Sequence, residues 1–216
     1  MPPRPLTFRA SDGGELSYLL HLPPGHAAGG KRWPLVLFLH GAGERGDDPT
    51  RVLRHGLPKR LLAMPDYPAI VLSPHCPGQS TWFDHVLALL ELLAEAESGL
   101  RGDADRVHVT GLSMGGMGAW LLGALAPERF ASVVPVCGLV PPLDGFFDLL
   151  EGLKARRVWA FHGVEDRVVP VAHTLAIVDA LKRLGGRPRL TLYPDVGHRS
   201  WEPAYADHEL LRWFLA

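Results

Sequence analysis

The sequence predicts an α/β fold built on a mainly parallel sheet with helices on both faces, and three observations predict it. Apolar runs of strand length alternate with helix-period stretches from about residue 33 to the end. Runs such as Leu35–Leu39 and Ala69–Leu72 are continuously apolar rather than alternating, which suits strands covered on both sides. At 216 residues, with 47% hydrophobic and 21% charged residues, the chain fits one domain, residues 1–216, able to bury a full core.

The elements follow in order. Leu6–Phe8 and Glu15–Leu22 read as two antiparallel strands joined by the turn Asp12-Gly13-Gly14. Pro34 opens the strand Leu35–Leu39, closed by His40-Gly41, and residues 50–64 are helix-like. Ala69–Leu72 is the next strand, stopped by Ser73-Pro74; Trp82–Glu97 is an amphipathic helix ended by Ser98-Gly99. Arg106–Thr110 is a strand running into Gly111-Leu112-Ser113-Met114-Gly115, and the helix after it stops near Ala126-Pro127. Ser132–Cys137, a short helix around Phe146–Leu153, the strand Val158–Phe161 and a helix over 171–184 come next. Leu190–Tyr193 is the last strand and Glu209–Leu215 the closing helix.

Composition excludes several function classes. The formal net charge is -1 with Lys and Arg scattered, so neither nucleic acid nor a membrane surface is expected as a partner. No apolar run approaches the ~20 residues that span a bilayer, and the start Met1-Pro2-Pro3-Arg4-Pro5 has no apolar segment behind it, so it does not read as a secretory signal. Two cysteines, Cys76 and Cys137, make no disulfide framework and favour a reducing, cytoplasmic setting. Eleven histidines show no metal-binding spacing, so no metal and no cofactor are expected.

In open α/β sheets chemistry collects in the loops at the carboxyl ends of strands. Ser113 lies between a strand and a helix with small residues two before and two after it, as a very tight turn demands. Such a turn exposes the hydroxyl at a helix N-terminus, where the Met114 N–H faces a developing oxyanion. The loop His40-Gly41-Ala42-Gly43-Glu44-Arg45-Gly46 is small enough for a second backbone donor, Ala42 first and Gly43 second. A serine needs a base, and His198 follows the last strand; the acid between them is Asp166, with Glu165 one residue away. Asp195 reads as a turn residue, and His40, His75 and His162 as loop-holding side chains. Glu44 and Arg45 read either as a local ion pair bracing their loop or as a solvated pair.

Leu37–Gly46, Gly111–Gly116 and Tyr193–His198 together resemble the α/β-hydrolase superfamily, and more narrowly the small esterases of its phospholipase/carboxylesterase and dienelactone-hydrolase-like branch. The resemblance implies an eight-stranded sheet, the catalytic residues Ser113, Asp166 and His198, and the oxyanion donors Ala42 and Met114. Dienelactone hydrolases proper carry a cysteine nucleophile, so Ser113 argues against dienelactones. Cap domains of this superfamily enter after the strand that follows the serine helix. Here that space, Gly138–Arg157, holds one short helix and no large cap. The cleft is then open, with Trp82 and Trp201 as substrate-binding candidates beside Phe83 and Leu139-Val140-Pro141.

The leading expectation is a serine carboxylesterase that hydrolyses short-chain or aromatic carboxylic esters through an acyl-serine intermediate. The expected partner is a small-molecule ester, and the expected state a monomer or small homo-oligomer. A peptidase or amidase, or a thioesterase, would use the same side chains. A non-catalytic binding protein on this fold predicts loss of a triad member or an oxyanion glycine, and all are present.

Overall fold

The computed structural model describes residues 5–216, so the first four residues, on which the reading of the chain start rested, lie outside the described residues. Eight strands form one mixed sheet in the order β1-β2-β4-β3-β5-β6-β7-β8. They are β1 Leu6–Arg9, β2 Glu15–His21, β3 Trp33–Leu39, β4 Ile70–His75, β5 Gly102–Leu112, β6 Ser132–Val136, β7 Arg157–Gly163 and β8 Arg189–Tyr193. β2 pairs antiparallel with both β1 and β4, and every other pairing is parallel.

β3 shows why a continuous apolar run was needed. Leu35, Leu37 and Leu39 enter one core while Val36 and Phe38 enter the other, because successive side chains of a strand point to opposite faces. The first core is covered by α2 (Val86–Gly99), α3 (Met114–Leu125), α4 (Phe146–Leu153) and α5 (Ala172–Arg183). The second is covered by α1 (Gly56–Leu61), α6 (Trp201–Ala206) and α7 (His208–Trp213). Between β6 and β7 the only helix is α4, so there is no separate cap domain among the described residues. No helix of the described residues is long and apolar enough to cross a membrane.

Several elements differ from the sequence expectation: the helix expected from Trp82 begins as a 3-10 turn, Trp82–His85, before α2, β5 starts four residues earlier than Arg106, and three further differences have a clear physical reason. The helix expected over 50–64 is a 3-10 segment, Pro49–Arg54, followed by α1. The break falls at Gly56, whose φ of +66° favours glycine and whose added Cβ would lie 2.5 Å from the Phe38 ring. β4 continues through Ser73 and Pro74 rather than stopping there. Beyond Leu72 it pairs with β2 alone, so the missing N–H of Pro74 has a side where no ladder bond is needed. Finally, α6 occupies a stretch to which the sequence reading assigned no element. Its Pro203 stands in the first turn, where a proline removes no intrahelical bond.

Candidate active site

The carboxyl end of the sheet is where β5 meets α3 through a single residue. Ser113 has φ 55° and ψ -115°, a strained setting for a residue with a side chain. The turn is possible because Gly115 lacks a Cβ; one added there would stand 1.9 Å from the Leu39 carbonyl oxygen. The Ser113 N–H donates to Val136 O at 2.9 Å, which fastens the turn to the end of β6. The strain leaves a half-buried hydroxyl at the start of a twelve-residue helix.

Two loops bring the acid and the base to this hydroxyl. The loop after β7 and the loop after β8 are joined backbone to backbone, Val164 N–H to Tyr193 O at 2.9 Å and Glu165 N–H to Val196 O at 3.1 Å. Asp166 is buried while Glu165 is exposed, so the register of this loop turns Asp166 inward. Asp166 Oδ1 accepts from the N–H groups of Val168 and Val169, both at 2.9 Å, and Oδ2 accepts from His198 Nδ1 at 2.7 Å. Burial alone would raise this carboxyl, but the hydrogen bonds from His198, Val169 and Val168 outweigh it and hold the group below its ordinary value. With Nδ1 donating, Nε2 is left to accept, and Ser113 Oγ lies 2.9 Å from it. His162 lies alongside with Nε2 3.3 Å from Asp166 Oδ2. Burial lowers the His162 pKa, which favours a neutral ring beside the carboxylate.

The loop after β3 stands opposite. His40 Nδ1 donates to Gly41 O at 2.7 Å, while its Nε2 accepts from Cys76 N–H at 2.9 Å, so one neutral tautomer satisfies both bonds. Burial depresses this imidazole to about 4. Ala42 begins a 3-10 turn and Met114 begins α3, positions whose N–H groups have no partner within the helix. Glu44 and Arg45 do not pair with each other. Glu44 is buried and accepts from Gly41 N–H at 2.9 Å, and Arg45 donates to Ala42 O at 3.2 Å and Ser80 O at 3.0 Å.

The two tryptophans have different fates. Trp82 is wholly buried and donates its Nε1–H to His40 O at 2.9 Å, so it holds the loop from below and has no surface to offer a substrate. Trp201 sets its ring edge-on to His198, centroids 5.3 Å apart, with His55 on another side at 5.6 Å.

The expectation of a serine carboxylesterase needs correction. Cys137, at the end of β6, stands with Asp166 and His198 so that the thiol sulfur, a carboxylate oxygen and a ring nitrogen all lie within 4.8 Å of one another. The imidazole–carboxylate couple therefore has a thiol as well as a hydroxyl beside it. A serine at the turn no longer suffices to class the protein as a serine esterase or serine hydrolase, or to argue against chemistry of the dienelactone type. What holds for either side chain is an imidazole, steadied by a carboxylate, beside an atom able to attack. The two are placed differently: Ser113 Oγ is in hydrogen-bond contact with Nε2, whereas Cys137 is fully buried and its thiol is pushed up to about 12 by burial. Sequence reasoning weighed Cys137 only for a disulfide framework. Its place at a strand's carboxyl end, next to the serine strand, was the signal that pointed to it. As donors for a cation the three residues fit poorly, since both ring nitrogens of His198 already carry hydrogen bonds and the thiol resists ionisation.

A provisionally assigned carboxymethylenebutenolidase of Salmonella typhimurium is 28% identical over 144 residues, covering 60% of this chain and 53% of its own length. Esterase FrsA of Yersinia pestis is 34% identical over 131 residues, 59% of this chain and 30% of that protein. The chain thus spans about half or less of the length of these relatives. Among solved structures, a thermostable esterase superposes with a TM-score of 0.82 at 31% identity, covering 99% of this chain and 62% of the other. Residues 64–208, most of the sheet and all of the acid–base couple, match the phospholipase/carboxylesterase family of α/β hydrolases, and the chain belongs to that family.

Proposed function

We propose that this chain is a small-molecule hydrolase of the dienelactone-hydrolase type, cleaving an activated ester or an enol lactone with His198 as general base. Residues 1–216 act as one catalytic domain in this reading, and two free, buried cysteines fit a reducing, cytoplasmic setting. The observation that carries it is the imidazole held between a carboxylate at 2.7 Å and a hydroxyl at 2.9 Å. Asp166 keeps the proton on Nδ1 and stabilises the imidazolium that forms when Nε2 takes a proton. Ser113 Oγ is the assigned attacking atom, because it alone of the two candidates is half-exposed and bonded to Nε2. The N–H groups of Ala42 and Met114 receive the negative oxygen of the tetrahedral intermediate. His198 returns the proton to the leaving oxygen, and a water repeats the attack to free the acid. Among the described residues no cap covers the site, which suits a compact substrate.

A second reading gives the attack to Cys137, on the strength of its sulfur lying within 4.8 Å of the His198 and Asp166 donor atoms. The deciding experiment labels the protein with a fluorophosphonate and maps the adduct by mass spectrometry, beside turnover of p-nitrophenyl acetate and of an enol lactone. The adduct is expected on Ser113, with Ser113→Ala losing about 10³-fold or more in kcat and Cys137→Ala keeping most of it. An adduct on Cys137, or the reverse order of losses, transfers the role to the thiol. Absence of turnover on both substrates sinks the hydrolase reading itself.

A further inference from the structure

The loop after β3 is pinned at two consecutive peptide units, and Glu44 takes part in both, through its carboxylate at the first and its backbone N–H at the second. The first unit joins His40 to Gly41. Its carbonyl accepts from Trp82 Nε1 at 2.9 Å, and its N–H donates to Glu44 Oε2 at 2.9 Å. The second joins Gly41 to Ala42. Its carbonyl accepts from His40 Nδ1 at 2.7 Å and from the Glu44 N–H at 3.3 Å. A trans peptide carries its N–H opposite its C=O, so holding the Gly41 carbonyl on the His40 and Glu44 side turns the Ala42 N–H the other way. The Glu44 backbone is itself anchored, since its carbonyl accepts from His75 Nε2 at 2.9 Å. Its second carboxylate oxygen faces His55 Nε2 at 3.7 Å, and Arg51 and Arg54 stand further off. A carboxylate kept 5% exposed is costly to bury, and the protein keeps it where a smaller polar residue would leave Gly41 N–H without its partner.

We propose that Glu44 is the positioning residue of the oxyanion site: its carboxylate holds the Gly41 N–H and its backbone N–H meets the Gly41 carbonyl, so that Gly41 is gripped on both sides and the Ala42 N–H that follows faces the oxygen that gains charge. The proposal rests on the hydrolase reading above for the identity of that oxygen. It assigns to Glu44 no contact with substrate. What Glu44 supplies is a hydrogen-bond acceptor at a set distance from Gly41, so an amide in its place should serve and a shorter carboxylate should not.

The test compares Glu44→Gln, Glu44→Ala and Glu44→Asp with the wild type on p-nitrophenyl acetate, with thermal midpoints and the amide exchange rates of Gly41 and Ala42 measured on each. Glu44→Gln should stay within about threefold of wild-type kcat. Glu44→Ala should lose about 10- to 100-fold in kcat with KM nearly unchanged, less than outright removal of one oxyanion donor. Its Gly41 amide should exchange at least tenfold faster. Glu44→Asp, one methylene short of Gly41 N–H, should behave like Glu44→Ala and carries the test if the alanine variant fails to fold. A folded Glu44→Ala with kcat within twofold of wild type, a loss confined to KM, or equal losses in Glu44→Gln and Glu44→Ala would each overturn the proposal. If the wild type turns over no ester, the hydrolase reading fails while the exchange rates still decide Glu44. Fast Gly41 exchange in Glu44→Ala alone supports the positioning role, and unchanged exchange ends it.

Discussion

Adjacent carboxylates at one loop make the sharpest contrast between single residues. Asp166 accepts two backbone N–H groups and the imidazole, whereas Glu165 is exposed and contributes its backbone N–H to Val196. Asp166→Asn should therefore cost about 10²- to 10⁴-fold in kcat, since an amide in that place favours the wrong imidazole tautomer. Glu165→Gln should change kcat by less than about threefold. Steady-state kinetics of the two variants checks this, and equal losses would mean that the carboxylate at 2.7 Å from His198 is not what orients it. Candidate residues could be found in the sequence because strand-end loops are few and each chemical role admits few side-chain types. The tryptophans could not be sorted the same way. Trp82 and Trp201 both follow strand-end loops, and only packing shows that one is spent on His40 O while the other stands against His198.

At the scale of elements, β3, α3 and α4 were readable because periodicity and punctuation agreed: a glycine- and proline-bounded apolar run, or a helix stopped by Ala126-Pro127. The misses came where long-range contacts overrode local signals. β4 runs through a proline because only one neighbour needs its ladder there, and α6 forms with Pro203 in its first turn. Behind the serine turn, α6 is fastened by Tyr205, whose hydroxyl lies 2.8 Å from Thr110 Oγ1 on β5. Nothing local in the sequence pairs those two residues, which stand far apart in the chain. The break before α1 yields a prediction. Gly56→Ala places a Cβ 2.5 Å from the Phe38 ring at a backbone angle unfavourable to side chains. It should lower stability by about 1–3 kcal/mol, read as a lowered urea midpoint with little change in slope. An unchanged midpoint would show that Phe38 yields without cost.

Across the whole molecule, burial of neutral imidazoles sets the response to acid. Burial depresses His40 to about 4 and His108 to about 3, below the ordinary value near 6.5. Between those limits the unfolded chain binds protons that the folded chain refuses, so stability rises with pH there and is lost as pH falls below about 6.5. Each such histidine withdraws about 1.4 kcal/mol per pH unit across its window. Thermal midpoints should thus decline from about pH 6.5 downward, well before most carboxylates titrate, and His108→Gln should flatten the slope. A midpoint constant down to pH 5 would exclude this linkage. The division of labour along the chain has a different consequence. Asp166 and His198 come from one continuous stretch, β7 through the loop after β8, whose two loops are bonded backbone to backbone. In the proposed mechanism the serine and the oxyanion donors, Ala42 and Met114, come from an earlier stretch, and Cys137 lies between the two. Descent can therefore pass on the proton-handling half intact while replacing the attacking atom, which makes a lineage that alternates between hydroxyl and thiol reachable by single substitutions rather than by rebuilding a site.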